Sequence, residues 1–309
     1  MGDGLNINRN FSLHNDMKEN VTLVLSGGGA RGFAHIGAIE EIERRGYKIC
    51  SIAGTSMGAL IGGVYATGKL NEFKQWAHDL DKKEVLKLLD FSFSNQGLIK
   101  GDKVFKAMKK FIPDSNIEDL GICYTATAFD LVSNREFIFK NGSIYDAIRA
   151  SISIPTVFTP VISDNLLLVD GGIVNNIPIT NAIRSENDIL IAVNVNAEIP
   201  CSGAGKIIHG NDKRDINQTK TASEIKRILF KTNTGKGRKR YNYFNLINST
   251  INAATNYQSK MIIENNPPDI LVEISRESCG IFDFFKAEEI VEIGRDAVKK
   301  KLDSVLLKT

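Results

Sequence analysis

Two glycine-rich turns, each set between a short apolar strand and a helix, constrain this chain more than any other feature. Val21 to Leu25 is β-branched and apolar and runs into Ser26-Gly27-Gly28-Gly29-Ala30-Arg31-Gly32. The spacing of Phe33, Ile36, Gly37, Ile39 and Ile42 then predicts a helix. Ile49 to Ala53 repeats the strand, Gly54-Thr55-Ser56-Met57-Gly58 the sharp turn, and Ala59 to Thr67 the helix. Such alternation predicts an α/β fold, with a mostly parallel central sheet flanked by helices on both faces and functional groups at the carboxyl ends of the strands.

The rest of the chain continues the pattern. Helices are predicted over 71–89, 101–111 and 145–151, and strands over 122–129 and 135–139. A strand over 166–169 runs into Asp170-Gly171-Gly172, and the continuous apolar run at 189–195 reads as a buried strand. From Cys201 to about Arg240 the composition turns to Lys, Arg, Asn, Thr and Gly, and regularity is lost except for a short helical pattern at 223–230. Order returns with a helix near 245–263, a strand at 270–274 and an amphipathic helix from Lys286 to Leu302. The expected organisation is a flexible tail over 1–20 and one domain over 21–309, interrupted by a basic irregular insertion at about 201–244.

Composition narrows the function classes. With 42% hydrophobic residues in 309, the chain can bury a real core, and a net charge of +3 is too small for a polyanion binder. No nucleic-acid partner is expected, since no reader module accompanies the local basic charge. The four cysteines are spread singly, so neither a zinc site nor a disulfide framework is indicated. The first twenty residues lack the apolar core of a secretion signal, and no run approaches the roughly 18 apolar residues of a membrane span. A cytoplasmic protein with at most peripheral membrane contact is expected.

Gly54 to Gly58 is a G-x-S-x-G pattern, in which flanking glycines permit a strained turn that holds Ser56 out at a helix N-terminus. The alternative is a close-packed turn that needs small residues. Three consecutive glycines at 27–29 let several backbone N–H groups converge on one anion, as an oxyanion hole requires. Gly27, Gly29 and Gly32 also match a dinucleotide-binding G-x-G-x-x-G, but that site needs an acidic residue about 20 positions on. Ser51-Ile52-Ala53 stands there, so no cofactor is expected. Asp170-Gly171-Gly172 places an acid on a glycine turn, which alone is equally an ordinary surface turn.

In this order the three signals resemble the patatin-like phospholipase family. Further likenesses are Gly97-Leu98 with Gly101, Ala126-Thr127-Ala128 with Asp130, Ala150-Ser151-Ile152-Ser153-Ile154-Pro155, and Asn175-Asn176 with Pro178. The resemblance implies a three-layer α/β/α catalytic domain and a lipid acyl hydrolase of the phospholipase A or lysophospholipase type. It implies a Ser56–Asp170 dyad working through an acyl-enzyme, without metal or cofactor. Gly27, Gly28, Gly29, Ala30, Arg31 and Gly32 would form the oxyanion loop, Gly54, Thr55, Met57 and Gly58 the nucleophile elbow, and Gly171 and Gly172 the acid motif.

Scarcity of histidine agrees with a dyad. His14 lies in the tail, His78 in a polar helix, His35 where packing or a hydrogen bond is expected, and only His209 follows Asp170. An aspartate near its ordinary pKa of about 3.9 is a poor base for a hydroxyl, which throws weight on the oxyanion loop. Arg31 is expected in a structural salt bridge, with loop positioning or a lipid phosphate as alternatives. Lys236, Arg238, Lys239 and Arg240 read either as a docking patch for anionic headgroups or as a solubilising loop. A soluble esterase or thioesterase, or a silent lipid-binding scaffold, would carry many of the same motifs.

Overall fold

The computed structural model describes residues 19–88, 101–155, 157–163, 165–201 and 243–307. His209, the helical pattern at 223–230, Gly97-Leu98 and the basic residues Lys236, Arg238, Lys239 and Arg240 lie outside them. One sheet is built from β1 (Asn20–Leu25), β2 (Lys48–Thr55), β3 (Cys123–Asp130), β4 (Arg135–Phe139), β5 (Val161–Ser163), β6 (Leu166–Asp170), β7 (Ile189–Ala197) and β8 (Ile270–Ser275). Strands β8, β7, β1, β2 and β3 lie side by side and parallel, and β4, β6 and β5 add antiparallel pairs beyond them.

The described helices are α1 (Ala34–Arg44), α2 (Met57–Ala66), α3 (Leu70–His78), α4 (Lys82–Leu88), α5 (Asp102–Met108), α6 (Ile144–Ser151), α7 (Tyr243–Asn265) and α8 (Ala287–Leu306). Side chains alternate across the strands, so each strand feeds two cores. Leu23 and Leu25 of β1 and Ile191 and Val193 of β7 enter a large core shared with α1, α2, α3, α5, α6 and α8. Val24, Leu190 and Ala192 point the other way, into a smaller core closed by Ile177, Ile179 and α7 residues Ile262 and Ile263. The three layers expected from the sequence are present, with unequal depth. Among the described residues, no helix is long and apolar enough to cross a membrane.

One sequence expectation needs correction. The segment 71–89 is not one helix: it breaks after α3, because Asp81 Oδ1 accepts the amides of Lys83 and Glu84 and starts α4 afresh. The sheet is mostly parallel, as expected, with antiparallel pairs at one side. Strand β6 runs antiparallel to β3, and β5, too short to show a period, pairs with it.

The register of β3 decides where the chain ends meet. One of its edges pairs with β4 throughout 126–130. The other pairs with β2 as far as Thr55↔Thr127 and then with β6 from Ala128↔Asp170. Strands β2 and β6 therefore share one edge of β3 and meet end to end, each with its carboxyl end at the junction.

Helices α1 and α8 cross at two glycines. A Cβ on Gly294 would lie 1.8 Å from Ala34 O, and one on Gly37 would lie 1.9 Å from Val291 O. These contacts are backbone against backbone and cannot yield by a rotamer change. In an open helix Gly→Ala would be favourable by about 1 kcal/mol. Here overpacking opposes that gain, at about 1–3 kcal/mol or more. Gly294→Ala is therefore expected to lower the melting temperature by several degrees, measured by circular dichroism, and a raised melting temperature would show that the helices separate freely.

Candidate active site

Strand β2 leaves the sheet at Ser56, whose φ of 54° and ψ of −122° are rare for a residue with a side chain. Such a conformation costs of order 1–3 kcal/mol and persists only where the surroundings enforce it. They do so here through close packing: a Cβ on Gly58 would lie 2.1 Å from Leu25 O, so only glycine lets α2 start this near β1. Helix α2 begins at Met57, directly after Ser56, and its amino end favours negative charge beside the serine.

The acid arrives from β6. Asp170 is buried and caps the turn that follows it, with Oδ1 accepting the amide of Gly172 at 2.7 Å. Its Oδ2, also buried, has no partner at full hydrogen-bond geometry, though the Ser56 hydroxyl is near enough to favour the charged form. Burial is the largest influence and pushes the carboxyl up from 3.8 to about 6, against the opposing pull of Ser56 and the Gly172 amide. The poor base expected from an ordinary aspartate is thus corrected: removal from water brings this group close to neutrality.

The glycine loop leaves β1 beside the serine turn, since Leu25 pairs with Gly54. Its amides divide into two sets. Gly27 N–H donates to Asn176 O at 2.9 Å and Ala30 N–H to Ile281 O at 2.9 Å, so both are committed to holding the loop. Gly28 and Gly29 have no hydrogen-bond acceptor for their amides among the described residues, and Gly29 lines the same cavity as Ser56. Gly29 has φ +57°, and a Cβ there would lie 2.5 Å from Ile281 O.

Arg31 forms no salt bridge among the described residues, contrary to expectation. Its guanidinium donates to Asn196 Oδ1 at 2.7 Å and, at 3.4 Å each, to the carbonyls of Arg276 and Cys279, while Asn196 Nδ2 donates to Gly27 O. It pins the loop through neutral acceptors. His35 is fully buried and donates from Nε2 to Ser26 O at 2.8 Å, the hydrogen bond expected for it. Burial drives its pKa down to about 4, so it stays neutral at pH 7, and it makes no hydrogen bond to Ser56 or Asp170.

Ser56 and Gly29 open onto a cavity of about 100 Å³ walled by Phe33, Leu60, Phe73, Trp76, Met108 and Phe158, among others. Among the described residues no charged side chain lines it, and Ser56 alone brings a hydroxyl there.

The sequence profile described as Patatin-like phospholipase matches residues 23–183, a stretch that contains every element of this arrangement except Asn196 and the 276–281 segment. The chain belongs to the patatin-like phospholipase family. It is 32% identical to an uncharacterized NTE family protein of Mycobacterium tuberculosis, over 92% of this chain and 91% of that one. It is 36% identical to neuropathy target esterase sws of Drosophila persimilis, over 51% of this chain and 11% of that larger protein. Against the solved structure of VipD from Legionella pneumophila the identity is 14% and the TM-score 0.49, covering 94% of this chain and 67% of the other.

Within this patatin-like phospholipase domain the structure brings Ser56, Gly29 and Met57 to one cavity and sets Asp170, capped by Gly172, beside the serine, while Gly28 packs against Val195. It assigns Gly27, Ala30 and Arg31 to loop support, and Thr55 donates its hydroxyl to Asn175 O at 2.8 Å, tying the elbow to the acid loop. Sequence reasoning missed Asn196 and the buried hydroxyl of Ser151, which accepts the Ser56 amide at 2.8 Å. The first sits at the end of a strand that looked purely structural, and the second makes its contacts through a single side-chain oxygen.

The raised pKa of Asp170 has a consequence for stability. The fold favours the neutral acid, so the stability linked to it is complete below the ordinary 3.8 and lost as pH rises through about 6. A shift of about two units is worth up to about 3 kcal/mol. Asp170→Asn, which keeps an acceptor for Gly172, is expected to stabilise the protein by up to that amount at pH 8 and hardly at all at pH 4. Denaturant melts at the two pH values check this, and an equal effect at both would contradict the buried charge.

Proposed function

We propose that the protein is a serine acyl hydrolase acting on lipid esters of the phospholipase A or lysophospholipase type, through a Ser56–Asp170 dyad. The observation that carries this reading is the position of the Ser56 hydroxyl, between a buried carboxylate with a pKa of about 6 and an uncharged apolar cavity. The carboxylate supplies the base. The cavity suits an acyl chain, and it favours a lipid substrate over a small polar ester.

In this mechanism Asp170 accepts the proton of Ser56 as the serine oxygen attacks the ester carbonyl carbon. The carbonyl oxygen takes the negative charge and is met by the free amides of Gly28 and Gly29 and by the amino end of α2. Collapse of the tetrahedral species breaks the ester bond, and the departing alkoxide takes the proton back from Asp170. A water molecule, deprotonated by the same carboxylate, then releases the acid and restores the serine. The esterase named among the relatives agrees with this chemistry. Peripheral docking on anionic membrane through Lys236, Arg238, Lys239 and Arg240 belongs to the same proposal and rests on the sequence alone.

A fluorophosphonate probe is expected to label Ser56 in the wild type and nothing in Ser56→Ala. Release of fatty acid from phospholipid vesicles should fall by about 10³-fold or more in that variant, and comparably in Asp170→Asn. Mass spectrometry of the released acids and lysolipids reads the activity, and equal labelling of wild type and Ser56→Ala would remove the serine from the mechanism.

Because the base must be ionised, kcat/KM is expected to rise about tenfold per pH unit below about 6 and to level off above it. A profile with its inflection near 4 would mean that Asp170 titrates as an ordinary carboxylate.

A further inference from the structure

At the junction where β2 and β6 both end, one side chain stands between the strands. The last β2–β3 pair is Thr55↔Thr127, and two buried backbone groups beside it are the amide of Ser56 and the carbonyl of Thr127. The fully buried hydroxyl of Ser151 joins them: it accepts from Ser56 N–H at 2.8 Å and donates to Thr127 O at 2.7 Å. Two residues further on, Ser153 O accepts the amide of Asp170 at 2.9 Å. The carboxyl end of α6 thus holds both members of the dyad, the serine through a side chain and the aspartate through the main chain.

We infer that Ser151 is a positioning residue for Ser56, its hydroxyl acting as a one-atom spacer that fixes where β2 breaks from β3 and so sets the serine against Asp170. This rests on the dyad reading above. The physical case has three parts. Ser56 occupies a conformation that its own backbone disfavours, so something outside it must select that conformation. Its amide is buried and needs an acceptor, which the departing ladder does not give. The hydroxyl is both donor and acceptor, so it satisfies both strands at once, as no apolar side chain of that size does. Without it, Ser56 and Thr127 are left to find each other directly or to take in water, and either shifts the nucleophile. A displacement near 1 Å costs on the order of 100-fold in rate.

The test compares Ser151→Ala, Ser151→Thr and, as a control for stability alone, Leu302→Ala, which opens a hole in the core under α8. Each is assayed well below its melting temperature for kcat, KM and the rate of fluorophosphonate labelling. Ser151→Ala is expected to lose about 10- to 100-fold in kcat and in labelling rate with KM within about threefold of wild type. Ser151→Thr keeps the hydroxyl and is expected to regain most of that rate, even though its added methyl crowds a buried site. Leu302→Ala is expected to melt lower with kcat unchanged.

Wild-type kcat in Ser151→Ala overturns the inference, as does a loss in Leu302→Ala that matches it. Should Ser151→Thr not fold, Ser151→Cys, whose thiol makes the same two bonds more weakly, is expected to fall between alanine and wild type, and a cysteine variant no faster than alanine also overturns it. Turnover retained by Ser56→Ala would instead remove the dyad reading itself, so the two failures are distinct.

Discussion

Strand β3 gives one edge to two strands in succession, and the positions of both Ser56 and Asp170 follow from that sharing. Strand β2 occupies the edge up to Thr127 and β6 occupies it from Ala128, in opposite directions. Two chain ends aimed at each other along one edge cannot both continue. Strand β2 turns away at Ser56 into α2, and β6 turns away at Asp170 into the tight turn at Gly171. A Cβ on Gly171 would lie 2.3 Å from Thr127 O, so the second chain end passes against the β3 backbone where the first one leaves it. The glycines at this point are consequences of crowding at a strand junction.

Support for the junction comes from distant parts of the chain. The loop after β6 reaches back under the parallel strands, with Asn175 O taking the Thr55 hydroxyl, Asn176 O the Gly27 amide, and Asn181 accepting from Thr125 and donating to Thr127. From the opposite side, Arg31 gathers β7 and the 276–281 segment around the glycine loop. Buried polar groups of this kind are costly where left unpaired, and those that are paired leave few alternative arrangements. The large core below supplies the stability that such a network draws on. Its tightest contact, the glycine crossing of α1 and α8, carries the helix that follows the glycine loop.

Much of this was legible in the sequence because it is local. The strand and helix periods at 21–67 gave β1, α1, β2 and α2 within a few residues, and glycines flanking Ser56 marked a turn that has little other use. What the sequence hid was relational. Leu166 to Val169 has the same apolar character whether it runs parallel or antiparallel, so the head-on approach of Asp170 could not be read from it. Asp81 was passed over inside a helical period, although an acid followed by Lys-Lys-Glu is an N-cap signal. Arg31 looked like half of a salt bridge because a lone charge suggests a counter-charge, whereas carbonyls and an amide hold it. Ser151 gave no signal of its own: a serine at the end of a short helix is common, and its significance lies in the two strands that happen to part beside it.

As the base proposed for Ser56, Asp170 has to be held within a range of basicity. Two effects compete over the same carboxylate. Burial alone raises its pKa, and unopposed burial of an acid can carry it past 7, where it would be protonated and useless as a base. Hydrogen bonds alone lower it, and a carboxylate accepting two or three good donors becomes too weak a base to draw a proton from a hydroxyl. Asp170 is removed from water but meets one full donor, the Gly172 amide, and one incomplete one, Ser56. The result, about 6, leaves the group ionised at neutral pH and some two units more basic than in water. The incomplete contact matters in that balance, because a shorter approach of Ser56 would stabilise the charge and weaken the base. In the proposed mechanism the spacing between the two chain ends is therefore a chemical variable as well as a packing one, and the β3 edge and the carboxyl end of α6, which flank both ends, would act on basicity through geometry.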